Sequence, residues 1–156
     1  MNPLNQLKRL LAAAVTGWLV AGSALAADQG TAAEAEAMVK KAVAYIQAKG
    51  PEKAYAAFTH GKRFKDRDLY IIVYDLNGKN LAQGANPKLV GKDLIGLKDP
   101  NGRLIIKEFV DTAKEKGKGW VEGYKFLNPV SKKIEDKSMY LERVGNTLVG
   151  CGIYKG

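Results

Sequence analysis

Histidine and cysteine occur once each in the 156-residue chain, as His60 and Cys151. A structural zinc site needs several such ligands, and a lone thiol closes no internal disulfide, so the fold must rest on its core. Cys151 lies in an apolar strand pattern and reads as a small buried hydrophobe; a reactive or dimer-forming thiol is the alternative. Gly-x-Ser-x-Gly and His-Glu-x-x-His are both missing, and a Ser-His-Asp triad would have to recruit His60, which reads as a surface residue at a helix end. Asp66, Asp68 and Asp75 do not have calcium-loop spacing. These absences lead us to expect no enzyme, no catalytic residue, no metal site and no cofactor.

Long apolar runs are missing too. The longest, Leu10–Val20, has 11 residues, short of the roughly 20 that span a bilayer. It follows Lys8 and Arg9 and precedes a small-residue stretch ending Ala24-Leu25-Ala26, the three parts of a secretory leader. We expect residues 1–26 to be a signal peptide cut after Ala26, with an uncleaved anchor as the alternative, and a periplasmic or secreted location. Loss of this segment leaves 130 residues, one ordinary domain, and lowers the net charge from +9 to +7. The lysines are scattered rather than clustered with aromatics, which argues against nucleic acid and for attraction to acidic ligands or surfaces.

After a flexible start at 27–33, apolar residues fall at Ala35, Met38, Val39, Ala42, Tyr45 and Ile46, one face of a helix. Gly50-Pro51 ends it and opens a short second helix to Phe58. Arg67–Asp75 is a strand, its near-continuous apolarity implying cover on both faces. Asn77-Gly78 signals a type I′ hairpin into Lys79–Gly84. A long loop follows, of the kind that is functional or mobile. Asp99-Pro100-Asn101-Gly102 can cap a third helix with Ile106, Phe109, Val110 and Ala113 on its buried stripe, and Gly119–Leu127, Ser138–Arg143 and Thr147–Tyr154 complete a meander. The expected fold is α+β: a PAS-like antiparallel five-stranded sheet, an N-terminal helical arm, and one helix inserted after the second strand.

Asp68-Leu69-Tyr70-Ile71-Ile72-Val73-Tyr74-Asp75-Leu76-Asn77-Gly78, then Gly84-Ala85-Asn86-Pro87-Lys88-Leu89-Val90-Gly91-Lys92-Asp93-Leu94, then Gly119-Trp120-Val121 and Asn128-Pro129, resemble the single-Cache extracellular sensor domains, second subfamily. The likeness covers Glu34–Lys155. It implies a PAS-like sensor module within 34–156, of the kind found in chemoreceptors and sensor kinases and often specific for small organic acids. Most relatives continue into a transmembrane helix and an output domain, so this chain resembles a solo, exported Cache protein serving signal transduction such as chemotaxis. Two departures stand out: Gln83 where relatives often carry His, and Gly123 as an extra residue between Trp120 and Tyr124.

Strand alternation puts Tyr70, Ile72 and Tyr74 on one face and Leu69, Ile71 and Val73 on the other. The phenol-bearing face suits a ligand cavity, or else its tyrosines are ordinary core. Asn86 is a ligand donor and acceptor or a turn former; Trp120 and Tyr124, on one strand face, are an aromatic wall or plain core; Lys107 supplies charge to a carboxylate or is solvated. With Gln83, these are the candidate ligand-binding residues. The expected function is an exported small-molecule sensor for an organic acid, acting through a membrane receptor or sensor kinase. The alternative is a ligand-free interaction domain docking on a membrane receptor.

Overall fold

The computed structural model describes residues 28–156, so the expected leader and its cleavage point lie outside the described residues. Thr31 opens helix α1 (Ala32–Lys49) with a capping box, its hydroxyl accepting from Glu34 N while Glu34 reaches back to Thr31 N. Just before it, Gly30 is buried and donates to Asp68 Oδ1 at 2.7 Å. The chain is therefore tied into the fold from Gly30, where a loose start was expected. Gly50, at φ 83°, turns the chain into α2 (Pro51–His60), and Pro51 takes the first helical turn as expected. His60 is exposed at the end of that helix.

The strands are β1 (Lys65–Asp66), β2 (Leu69–Asp75), β3 (Asn80–Gln83), β4 (Lys118–Leu127), β5 (Ile134–Val144) and β6 (Thr147–Lys155), with helix α3 (Ile105–Lys116) between β3 and β4. They form one antiparallel sheet in the order β3-β2-β6-β5-β4, and two-residue β1 also pairs with β2. This is the expected α+β, PAS-like arrangement plus one short strand. The alternation of β2 sorts two cores. Leu69, Ile71 and Val73 pack with Val149 and Cys151 against Ala35, Val39, Ala42 and Ile46 of α1 and Ala54 and Phe58 of α2. Tyr70, Ile72 and Tyr74 pack with Met139, Leu141 and Leu148 against Ile105, Ile106, Phe109, Val110 and Ala113 around α3.

Three local expectations are corrected. The Asp75–Lys79 turn is not type I′: among its residues only Gly78 has positive φ, and Asp75 Oδ1 accepts from Asn77 N and Lys79 N. The aspartate supplies the turn, so Asn77 need not leave the ordinary region. Asp99 does not cap α3, whose N-cap is Leu104. Instead its carboxylate accepts from Asn101 N, Arg103 N and, across the domain, Lys125 N of β4. Finally, β5 begins at Ile134 rather than Ser138, because the polar run ahead of Ser138 is held in the ladder by β4.

The long loop is clamped at both margins. Gly91 N donates to Asn80 O and Asn80 N to Lys92 O, zipping it to β3. At its far end Arg103 pairs with Glu108 and donates to Glu122 O of β4. Leu94, Ile95 and Leu97 then cover the Tyr70–Tyr74 face.

Phe58 is fully buried and meets Phe64 edge-on, ring centroids 4.7 Å apart. Phe58→Ala should lower stability by about 3–5 kcal/mol, read as a shifted urea midpoint, since the helical arm cannot collapse into the space left.

Candidate functional site

The α3 side of the sheet encloses a cavity lined by Tyr70, Ile72, Tyr74, Gln83, Ile105, Ile106, Phe109, Tyr124, Phe126, Lys137 and Met139. The unfilled space, mouth included, is about 260 Å³. Only about 20 Å³ of it admits the centre of a water-sized sphere, about what one water needs. The hollow is present, and in this form it is drawn closed around its own side chains.

Its shape follows from β6, which contributes Gly150 and Gly152 to this face. A Cβ at Gly152 would collide with Lys137 Cε, and one at Gly150 would lie 2.8 Å from Met139 Sδ. Lys137 and Met139 therefore lie where two β6 side chains are missing. Lys137 reaches the cavity because it faces Tyr154 and Tyr124 across the sheet.

Lys137 is 1 % exposed. Its ammonium donates to the hydroxyls of Tyr70 at 2.6 Å and Tyr154 at 3.0 Å, and lies 4.2 Å and 4.4 Å from the centroids of their rings. Tyr154 in turn donates to Leu127 O at 2.8 Å. Among the described residues no carboxylate pairs with Lys137. An ammonium has three donors and two are used here. Burial pushes its pKa down to about 7, so the proton is held weakly near neutrality. Burial raises the phenols of Tyr70 and Tyr124 as well, and Tyr74 to about 12, keeping all three neutral donors. Tyr124 is buried in the same wall and meets Phe109 edge-on, ring centroids 5.5 Å apart. A buried cation, neutral phenols and an apolar wall are what a small anion with a short hydrocarbon body requires.

The family described as Single Cache domain 2 matches residues 5–155. The chain belongs to that family. Over 91 residues, 57% of its length, this Cache chain is 31% identical to the methyl-accepting chemotaxis protein McpP of Pseudomonas putida, of which it spans 16%. Its fold is similar to that of a methyl-accepting chemotaxis protein from Vibrio parahaemolyticus, with TM-score 0.68 and 24% identity over 78% of this chain and 86% of that one. It is also similar to a Cache chemosensory domain whose structure concerns carboxylic acid recognition, with TM-score 0.63 and 22% identity over 78% and 86% of the two chains.

Of the expected site residues, the Cache fold brings Tyr70, Ile72, Tyr74, Gln83 and Tyr124 together around the cavity. Gln83 arrives there as the cross-strand partner of Ile72. Three expectations are corrected. Asn86 is exposed and its Oδ1 accepts from Lys88 N, making it the turn former. Lys107 is exposed on α3 and pairs with Asp111 at 2.6 Å. Trp120 faces the other core, where it packs on Tyr140 and donates to Glu36. A bulge separates it from Tyr124: Glu122 and Gly123 together oppose Ser138, which moves Tyr124 to the cavity face with Val121. The extra glycine was the sequence signal for this. Lys137 was missed, as were the α3 wall, Phe126 and Met139. Among the described residues no cluster of His, Cys, Asp and Glu could hold a metal.

The depressed Lys137 pKa has a thermodynamic consequence. Between about pH 7 and the ordinary lysine value the unfolded chain binds more protons than the folded one, so ligand-free stability rises with pH. Cys151, raised to about 12 by burial, opposes this above the usual thiol value near 9. Melting temperature should therefore climb from about pH 7 to about pH 9 in the wild type. Lys137→Met should flatten that slope.

Proposed function

We propose that this chain is an exported sensor module whose cavity takes a small organic acid and reports occupancy to a membrane receptor or sensor kinase. The Cache family membership makes it a sensor domain. The observation that carries the ligand class is the buried Lys137 ammonium, which faces the cavity with no carboxylate partner among the described residues. Support also comes from the similar Cache chemosensory domain described for carboxylic acid recognition. Leu10–Val20 with Lys8, Arg9 and the Ala24–Ala26 end supports export and cleavage after Ala26, ahead of the sensor domain at 34–156.

The cavity offers one cation, and Ile105, Ile106, Phe109 and Met139 offer an apolar wall, so a single carboxylate on a short carbon body is the best match. On entry the carboxylate exchanges Lys137's bonds to Tyr70 and Tyr154 for its own, and Tyr124 gains an acceptor. Ligand competes with a collapsed form in which these groups satisfy one another, so occupancy shifts the balance between two packings of one face. The clamped loop and α3 move with that face.

Thermal-shift and calorimetric titration of the purified protein with short monocarboxylates, dicarboxylates and amino acids tests this. A binding acid at about 100 times its Kd should add about 2.7 kcal/mol of stability. Lys137→Met should weaken it on the order of tenfold to a hundredfold. Affinity should also fall as pH rises above about 7, because only protonated Lys137 holds the anion. Stabilisation that survives Lys137→Met undiminished would remove this site; no stabilisation by any acid would leave the ligand-free interaction domain.

Gly152→Ala puts a methyl group against the Lys137 stem. It should cost affinity for the same acid while the far-ultraviolet spectrum stays that of the wild type, the flexible stem absorbing the clash.

A further inference from the structure

We infer that the β4–β5 hairpin end is a docking surface for an anionic lipid bilayer. Among the described residues four large apolar side chains are exposed, and three share this hairpin: Leu127 at 50%, Val130 at 55% and Ile134 at 56%. Leu127 and Ile134 oppose each other directly across the ladder, so their side chains share a face, with Val130 in the turn between them. The turn is built rather than loose. Asn128, itself buried, exchanges backbone bonds with Lys132 and Lys133, and its side chain holds Val130 N and Glu135. The apolar side chains are thus held outward at a cost in exposed apolar surface, which calls for an occupant.

Charge narrows the occupant. Lys132 and Lys133 are exposed in the turn, and no acid lies between Leu127 and Ile134. The acids that follow are engaged: Glu135 by Asn128 and Ser131, Asp136 by Lys125. Cores of protein interfaces are poor in lysine. At a membrane surface, lysines beside apolar side chains are favoured, because their stems lie along the acyl boundary and their heads meet anionic headgroups.

Position narrows it further. β6 ends with Lys155 beside Asp136, and a Cβ on Gly156 would lie 3.0 Å from Gln29 Nε2. The chain therefore enters and leaves the described fold at the hairpin end. The sequence reaching Asp28 carries the apolar run Leu10–Val20 behind Lys8 and Arg9. One weak membrane signal gives only marginal binding, and two give a stable one. While that run is attached, the hairpin is the second signal; once it is removed, the hairpin alone makes a weak, reversible contact. Nothing in this inference uses the cavity, so failure of the organic-acid reading leaves it standing, and the reverse.

The test uses the full chain with Val130→Cys carrying a polarity-sensitive fluorophore, since buried Cys151 stays unlabelled. Glu52→Cys, in the first turn of α2 just beyond the far end of α1, is the reference site. With vesicles of phosphatidylglycerol and phosphatidylethanolamine, emission at position 130 should shift to the blue while position 52 stays water-like. Phosphatidylcholine vesicles should leave both unchanged. Lys132→Gln with Lys133→Gln should lower partitioning of the 130 label about thirtyfold, from about 1 kcal/mol per lysine at an anionic surface. A water-like label at 130 on vesicle-bound protein overturns the proposal. So does an equal shift on phosphatidylcholine, or a lipid-free shift that grows with protein concentration, which would make a second copy the occupant.

Discussion

A lysine ammonium held dry among phenols is the constraint to which one whole side of this sheet is fitted. Taking the Lys137 charge out of water is expensive, and a partner carboxylate within the protein would have offset much of that cost. Two phenol oxygens and the faces of two tyrosine rings give partial compensation instead. The remainder shows as a proton held loosely near neutrality. Gly150 and Gly152 make room for the lysine stem and Met139, and the β4 bulge turns Tyr124 toward the same hollow. These departures from regular sheet geometry all lie on the face that holds the buried charge.

The two faces divide the labour of the domain. On the helical-arm side the packing is dense and aromatic, with Tyr45, Phe58 and Phe64 in edge contacts and Cys151 inert against Met38. On the α3 side the wall is a helix and a loop, fastened to the edge of β4 through Asp99 and Arg103. Those fastenings let a long irregular segment cover a cavity without its own regular hydrogen bonding.

Much of the fold was legible in the sequence because it rests on periodicity. The α1 stripe, the Gly-Pro junction, the two-faced β2 and the buried stripe of α3 all follow from spacing and stereochemistry. Tyr70, Ile72 and Tyr74 share one face as the alternation implied, since it is unbroken along β2. Errors gathered where the period breaks or where tertiary contact overrides a local signal. Trp120 and Tyr124 were placed together because four-residue spacing shares a face in an unbroken strand, and Gly123 inserts a bulge. Lys107 was a candidate as a cation on the third helix, and its solvated alternative is the one that fits: it is exposed and pairs with Asp111. Lys137 was passed over because Ile134-Glu135-Asp136-Lys137 reads as a polar approach to a strand, and an isolated lysine belongs in water by default.

The sequence by itself determined the order of elements, which faces of α1, β2 and α3 are apolar, and that no metal or nucleophile motif is spelled out. These are local properties, carried by residue type and spacing. Tertiary structure alone decided that Lys137 is buried, that it meets Tyr70 and Tyr154, and that the β6 glycines leave space beside it. Those outcomes depend on register across β2, β6, β5 and β4, which brings Tyr70 of β2 to Lys137 of β5, 67 residues later in the chain. A residue's charge is written in the sequence; whether water reaches it is set by the neighbours that folding brings.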